Sequence, residues 1–445
     1  MKSASLRVVN FFKLDKWATI YRSHFYARAA SNLLLLLLVW IVRFPHVFRK
    51  LYAEDGVTLL QGTYEVASFR DFLAPVGGFS QLVARIGAHF MRLFPIEYAA
   101  ISAAMFTALS LAILSSFVFD YSSGILKRAR YQFLLSIFFL FIPIANFNSV
   151  GTICNLYFYF MVAAGVILFS PNIENKKIQG KNLVILLATL TNPLCIFLLP
   201  LILGRIFLTS KGLPKAQITF SDVVWFAGMI LQIVFIVLFS FGKRTPHPPS
   251  SIPATIYLLL DRGIGSAVIP NWGFVSGSQA NPNFENTLLM QSLLIRIVLS
   301  LVATVLISLL IAQNGKRLGL NAVTPSLFLL ATALGFGLLI GVTFNVEPRY
   351  MIFSSFFVFY GTLVALSQRN SKFSEKLVFG WFVILILTSL SPSKYISEGP
   401  DWRTNLRNEV ASCKTDPSKE TTDIRIMPLN GWWSVKIKCS EFLDK

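Results

Sequence analysis

The chain has 445 residues, of which 54% are hydrophobic and only 14% charged, and its 40 basic and 21 acidic side chains leave a formal charge of +19. A soluble protein carries about a quarter charged residues, so a water-soluble fold is excluded. Apolar runs of roughly 20 residues recur, the length a bilayer core requires. The basic residues lie in short loops between those runs, where they set orientation and meet anionic lipid, so the charge is not a nucleic-acid footprint.

Residues 1–28 carry Lys2, Arg7, Lys13, Lys16, Arg22 and Arg28 against one acid, Asp15. That imbalance places the N-terminus in the cytoplasm. The first apolar run, about 29–46, has no small-residue cleavage site after it and reads as an anchor. A long outer loop, about 47–95, follows and holds Glu54-Asp55-Gly56. Its stretch 69–92 reads as an amphipathic interfacial helix.

The second span, about 96–119, ends at the cytoplasmic mark Lys127-Arg128-Ala129-Arg130. Spans three and four, about 131–148 and 152–170, are joined outside by Asn146 to Asn155. The segment 182–208 is long enough for one span, yet Lys176, Lys177 and Lys181 precede it and Arg205, Lys211 and Lys215 follow it. Basic residues on both sides favour a hairpin of two short helices with its tip at Thr191-Asn192-Pro193, since proline ends a helix and restricts the residue before it. Span seven covers about 221–241, and a Pro- and Gly-rich outer loop, 242–286, is too polar to face lipid.

Spans eight to ten cover about 288–312, 322–344 and 350–367, with cytoplasmic turns at Lys316-Arg317 and Arg369/Lys372 and an outer turn at Glu347-Pro348-Arg349-Tyr350. Span eleven is about 376–391, and the tail 392–445 is outside. The fold class expected is an all-α polytopic membrane protein of about 11 transmembrane helices. A basic tail at 1–28, a transmembrane domain at 29–391 and a small extracytoplasmic α/β unit at 392–445 make up the chain. Cys154 and Cys195 lie in apolar surroundings and read as inert packing residues. Cys413 and Cys439 lie in the polar tail, where an oxidising compartment permits a disulfide. Asp423 to Lys438 alternates like strand around Leu429-Asn430-Gly431, so the tail reads either as a stapled β unit or as a free segment with two unrelated thiols.

Four constellations fall on the outer side. Glu54-Asp55 offers a general base or a divalent-cation ligand, or else a solvated pair with Asp55 capping a helix from Val57. Arg349-Tyr350 offers a bidentate phosphate clamp, or else an interfacial pair. Lys243-Arg244 with His247, and the group Arg43, Arg49 and Lys50, depart from the positive-inside pattern. The first of these can hold an anion. Asn155 with Tyr157 and Tyr159 suits hydrogen bonding and stacking on a sugar, or an aromatic belt. Arg296 is the one clear charge within an expected span and either faces a lipid-phosphate cavity or snorkels. No span has a mid-depth carboxylate or histidine, which disfavours ion-coupled transport. P-loop, dinucleotide, HExxH and Cys/His metal motifs are absent, and no internal repeat is visible.

Four stretches carry a family resemblance: RFPHVFRKLYAEDGVTLLQGTYEVASFRDFLAPVGGFSQLVARIGAHF at 43–90, CNLYFYF at 154–160, TNPLCIFLLPLIL at 191–203 and EPRYMIFSSFF at 347–357. The chain resembles the GT-C class of integral-membrane glycosyltransferases, in which an acidic pair marks the first outer loop. Gly77-Gly78-Phe79 and Arg85 stand where bacterial members carry a Gly-rich stretch and an Arg-containing helix. Among subfamilies it looks most like the O-antigen-modifying glucosyltransferases of serotype conversion.

The resemblance implies a sugar, a hexose such as glucose, carried on polyprenyl phosphate and transferred with inversion to an envelope glycan at the periplasmic face of the bacterial inner membrane. Asp55 is then the base and Glu54 its assistant or a metal ligand. Arg349 and Tyr350, with Lys243, Arg244 and Arg85, hold donor phosphate. Asn155 and Tyr157 meet the acceptor. No cofactor is fixed, with Mg²⁺ or Mn²⁺ left open. A lipid-linked-sugar flippase or an O-antigen polymerase is the alternative.

Overall fold

A computed structural model describes residues 24–443 apart from 45, 66–71, 73–74, 76–77, 144–150, 172–179, 211–217, 241–251, 270–286, 344–347, 369–371, 390–399, 417 and 428–432. In chain order the helices are α1 (Phe25–Arg43), α2 (Gln61–Glu65), α3 (Leu82–Arg92), α4 (Ala99–Ser122), α5 (Ala129–Leu140), α6 (Leu156–Phe169), α7 (Lys181–Thr189), α8 (Leu199–Ser210) and α9 (Phe220–Ser240). They continue with α10 (Ile252–Leu258), α11 (Ser266–Val268), α12 (Thr287–Leu318), α13 (Leu320–Thr343), α14 (Ile352–Ser367) and α15 (Lys372–Ser389). A C-terminal unit adds α16 (Trp402–Thr415), the antiparallel strands β1 (Thr421–Arg425) and β2 (Ser434–Lys438), and α17 (Ser440–Leu443).

Among the described residues, 7 helices are long and apolar enough to cross a membrane. They are α1, α4, α8, α9, α12, α13 and α14, three of them (α4, α8 and α14) with short flanking turns included. The protein is therefore a helical, polytopic membrane protein. The reading of about eleven crossings is finer than this. α5 and α6, with 12 and 14 residues, reach roughly 18 and 21 Å at 1.5 Å per residue, short of a hydrocarbon core of about 30 Å.

Burial separates the helices by role. α6 is buried along its whole length, and α14 is buried from Ile352 to Ala365. A helix that is apolar all round and enclosed is a core element. These two meet closely at Gly165, where an added Cβ would lie 2.8 Å from Phe357 Cζ. Phe138 of α5 stacks on Phe359 of α14 at 3.8 Å between centroids. α9 and α12 lie outside, with only 28% and 17% of their most apolar windows buried, so lipid covers them. Several polar side chains inside the bundle are paired, which lowers the cost of burying them away from water. Asn32 donates to Ser115 Oγ at 3.2 Å, Ser115 and Ser136 share a hydroxyl pair at 2.7 Å, and Arg28 pairs with Asp120 while lying over the Phe119 ring.

The segment 182–208 breaks where the sequence places its tip. α7 ends at Thr189, Asn192 caps the 3-10 helix Pro193–Leu198 by accepting from Leu194 N at 3.0 Å, and α8 follows. Ser221 Oγ donates to Asn182 Oδ1 at 2.8 Å, and Arg205 pairs with Asp222. Both ends of the segment thus meet the start of α9, which makes it a hairpin. Its tip supports the start of α3, where Thr191 Oγ1 accepts from Val83 N at 3.1 Å, and Gln232 of α9 braces the same stretch by donating from Nε2 to Ser80 O at 3.2 Å.

Two expectations change. Of the helix expected over 69–92, the described residues show Leu82–Arg92, and residues 78–81 just before it are not helical. Gly78 ahead of it has φ +86°, a left-handed turn that glycine takes without strain, so the chain reverses there and Phe72 stacks on His89 at 4.1 Å. Part of the loop 242–286 is helical and enclosed. α10, a π-helical turn Leu259–Gly265 and α11 pack against α12, α13 and α14, with Leu259, Asp261, Ile264 and Ala267 buried. Enclosure by protein is the condition for irregular backbone at membrane depth.

Candidate functional site

The chain leaves α1 at Phe44 and enters a π-helical turn, Asp55–Leu60, directly after Glu54. Asp55 opens this turn, but its carboxylate does not cap it. The side chain is 2% exposed and turns to the loop before α6, accepting from Ile153 N and Cys154 N, each at 2.9 Å. Burial pushes the Asp55 carboxyl up to about 7. The N–H groups of Cys154 and Ile153 pull in the opposite direction, and the neighbouring Glu54 adds to the rise. An ionised carboxylate oxygen accepts two bonds, so one lone pair remains on each oxygen. Glu54 is half-buried and keeps contact with solvent.

The loop that receives Asp55 also receives Arg349. Arg349 sits in the 3-10 turn Pro348–Met351 ahead of α14. Its Nη1 lies 3.4 Å from Asn155 Oδ1, and Asn155 Nδ2 donates to Thr152 Oγ1 at 2.9 Å. Tyr350 meets Phe158 edge-on at 5.5 Å, which fixes the turn against α6. Cys154 stands at the centre. Glu54, Asp55, Arg349 and Arg85 all exert a charge effect on its thiol, and burial holds that thiol well above the ordinary range, so it stays protonated. Residues 54, 55, 85 and 349, far apart in the chain, therefore converge on 152–155.

Three of the expected residues take more internal positions than their types imply. Arg85 is 4% exposed, Asn155 1% and Tyr157 8%. Asn155 is engaged by Thr152 and Arg349, so it positions the guanidinium. Lys243, Arg244 and His247 lie outside the described residues, as does the side chain of Arg296. Among the described residues no group of three or more His, Cys, Asp or Glu side chains could hold a metal ion. A Mg²⁺-type ion held by one or two carboxylates takes its remaining ligands from water and substrate phosphate, and Glu54 is the carboxylate here with solvent access.

The C-terminal unit and its paired cysteines were legible in the sequence, but its docking beside Asp55 was not. Cys413 and Cys439 are joined by a disulfide. The unit clasps the strand of chain leading to Asp55: Met427 N donates to Leu51 O at 3.1 Å and Ala53 N to Met427 O at 2.7 Å. Trp402 N donates to Arg49 O at 2.9 Å and Trp402 Nε1 to Ile96 O at 2.8 Å. Lys50, 8% exposed, lies within charge range of Asp401, which gives this buried basic residue a local counter-charge. Alternation over 423–438 signals the strands. Nothing local signals that they dock on residues 49–61.

Gly56 is where the two parts touch. A Cβ there would lie 2.4 Å from Ile426 Cδ1 and 2.8 Å from Val435 Cγ2. Gly56→Ala is expected to destabilise the docked unit by about 1–3 kcal/mol, the usual cost of overpacking. Ile426→Val in the same chain should recover part of it. Thermal unfolding of the detergent-solubilised protein reads both; an unchanged midpoint for Gly56→Ala would contradict the tight approach.

These features define a helical membrane protein with a buried carboxylate and a guanidinium gathered at one end of its bundle. No family model, curated protein or solved structure matches the chain.

Proposed function

We propose that this protein is a membrane glycosyltransferase that moves a sugar from a polyprenyl-phosphate donor to an envelope glycan, at the extracytoplasmic face. The observation that carries the reading is the convergence of Asp55 and Arg349 on the loop 152–155. A base and a phosphate clamp on one short loop suit displacement at an anomeric carbon. The acceptor hydroxyl gives its proton to Asp55 and attacks that carbon. The bond from the carbon to the phosphate oxygen breaks with inversion, and the departing phosphate takes the electron pair. Arg349 stabilises that charge, with Tyr350 and Arg85 beside it. Preorganised positive charge of this kind typically supplies a few kcal/mol. Glu54 assists the base or holds a divalent cation.

Two features at opposite ends of the bundle support this orientation. Lys127, Arg128, Lys316 and Arg317 lie at the end away from Asp55, which is the cytoplasmic pattern. The disulfide-linked unit lies at the Asp55 end, which fits an oxidising compartment such as the periplasm. The nature of the acceptor, an O-antigen or similar polysaccharide, rests on the resemblance of the sequence stretches.

Mass analysis of surface glycan from cells with and without the gene tests the reading: a hexose increment that requires the gene is expected. Arg349→Gln should lower transfer roughly 100-fold or more, a loss of a few kcal/mol in the barrier, with the protein still inserted. Unaltered glycan in all strains, with movement of lipid-linked sugar across the membrane instead, would favour a flippase.

A further inference from the structure

The enclosed part of the loop 242–286 carries chemistry that the Asp55 and Arg349 cluster does not use. Asp261, in the π-helical turn Leu259–Gly265, is 1% exposed. A carboxylate so buried persists only when paired. Arg262 Nε lies 2.9 Å from its Oδ2. Among the described residues Asp261 is the one ion-pair partner of the Arg262 side chain, and it meets Nε. The two terminal nitrogens are left as a planar fork on a side chain that is 18% exposed, the geometry that grips an oxyanion bidentately. π-helical turns interrupt a regular ladder and recur at functional sites.

The neighbours of this turn point to the ligand. Gly263 faces Ser354, with its Cβ position 3.6 Å from Ser354 Cβ, and Ser266 Oγ lies 2.9 Å from Ser355 Oγ. The turn also packs against the 3-10 turn Pro348–Met351 that bears Arg349. Ser354 is five positions beyond Arg349, roughly 8 Å along a helix axis. Two guanidinium groups thus stand on packed turns at one end of the bundle, and the second lies in ion-pair contact with a buried carboxylate.

We propose that Arg262, held by Asp261, is a second phosphate-binding residue that acts with Arg349 on the head group of an isoprenoid phosphate. The identity of the lipid rests on the sugar-transfer reading, whereas the anion site rests on the geometry above. Asp261 orients the fork rather than repelling the ligand. Its neutralisation therefore loosens binding, although the net charge rises.

The test is equilibrium binding of decaprenyl phosphate and decaprenyl diphosphate to the full-length protein in phosphatidylglycerol nanodiscs, read by native mass spectrometry. Arg262→Gln is expected to weaken binding at least tenfold. Arg262→Lys should weaken it several-fold, because it keeps the charge and loses the fork, and Asp261→Asn should weaken it as well. A tenfold loss with the diphosphate alone assigns two phosphates to the two arginines, and an equal loss with both lipids assigns one. Binding by Arg262→Gln within twofold of the parent for both lipids, at equal thermal stability, overturns the proposal. If Arg262→Gln does not fold, parent-like binding by Arg262→Lys does so. Tighter binding by Asp261→Asn, or equal displacement by excess phosphatidylglycerol, also overturns it. Should the arginine variants lose the lipid while surface glycan shows no dependence on the gene, the anion site stands and the sugar-transfer reading fails. The reverse pattern separates the two the other way.

Discussion

Asp55→Asn is expected to lower sugar transfer by roughly 100- to 10,000-fold, the usual worth of a positioned general base, while leaving membrane insertion intact. The parent rate should rise with pH to a plateau above about 7, where the buried carboxyl ionises, and the variant should lack that limb. Stability carries the opposite sign. The unfolded chain releases this proton near pH 4, the folded chain near 7. Between those values the folded state binds more protons, so stability falls as pH rises, and the cost is complete above 7. A shift of about three units corresponds to roughly 4 kcal/mol. The parent midpoint should therefore drop between about pH 4 and about pH 7, with a shallower drop in Asp55→Asn. Asparagine has one acceptor oxygen for the two N–H groups of Ile153 and Cys154, so one hydrogen bond is lost at every pH. A variant that keeps most of its activity would remove Asp55 from the base role and leave Glu54 as the carboxylate with solvent access.

Replacing both Cys413 and Cys439 by serine is the second large effect expected. The disulfide joins positions 26 apart, and removing a cross-link over such a loop costs roughly 3–4 kcal/mol on the chain-entropy account. The unit it closes is small. Its buried side chains, among them Trp402, Leu406, Ile424, Val435 and Ile437, form a cluster shared with Leu51, Leu59, Leu60 and Ala84 from the Asp55 side. Domains of about 40 residues rarely hold together without such staples. Loss of the staple should loosen Met427 from Leu51 and Ala53, and through them the turn that opens with Asp55. Transfer should fall at growth temperature and recover on cooling, which distinguishes a positioning role from removal of the base. Activity unchanged at growth temperature, with the disulfide shown to be absent, would make the unit a passenger. Reductant applied to the outer face should reproduce the loss.

Particular elements show where the sequence was legible. Thr191-Asn192-Pro193 marks a true break because proline cannot continue a helix, and that constraint is local. The strands at Thr421–Arg425 and Ser434–Lys438 follow from alternation, since a strand with one buried face must alternate. The interfacial helix was overextended, because amphipathic spacing continues across Pro75 and Gly78 while the backbone turns at Gly78. The helical character of 252–268 was hidden by its Pro- and Gly-rich flanks.

The site divides in the same way. Glu54-Asp55 and Arg349 stood out as charges beside apolar runs, and that contrast is written in composition. Nothing in the sequence said that Asp55 would be spent on the N–H groups of Ile153 and Cys154, that Asn155 would hold Arg349, or that Arg262 would stand on the neighbouring turn.

Composition and hydropathy alone determined that this chain lives in a bilayer, because burying backbone in lipid admits little besides apolar helices. Proline, charge and alternation fixed where several elements begin and end, since those are short-range constraints. Which charged groups meet was decided only by the tertiary structure. That meeting depends on the all-round burial of α6 and α14 and on a C-terminal clasp some 350–400 residues away in the chain, and packing between distant segments leaves no mark in either segment alone.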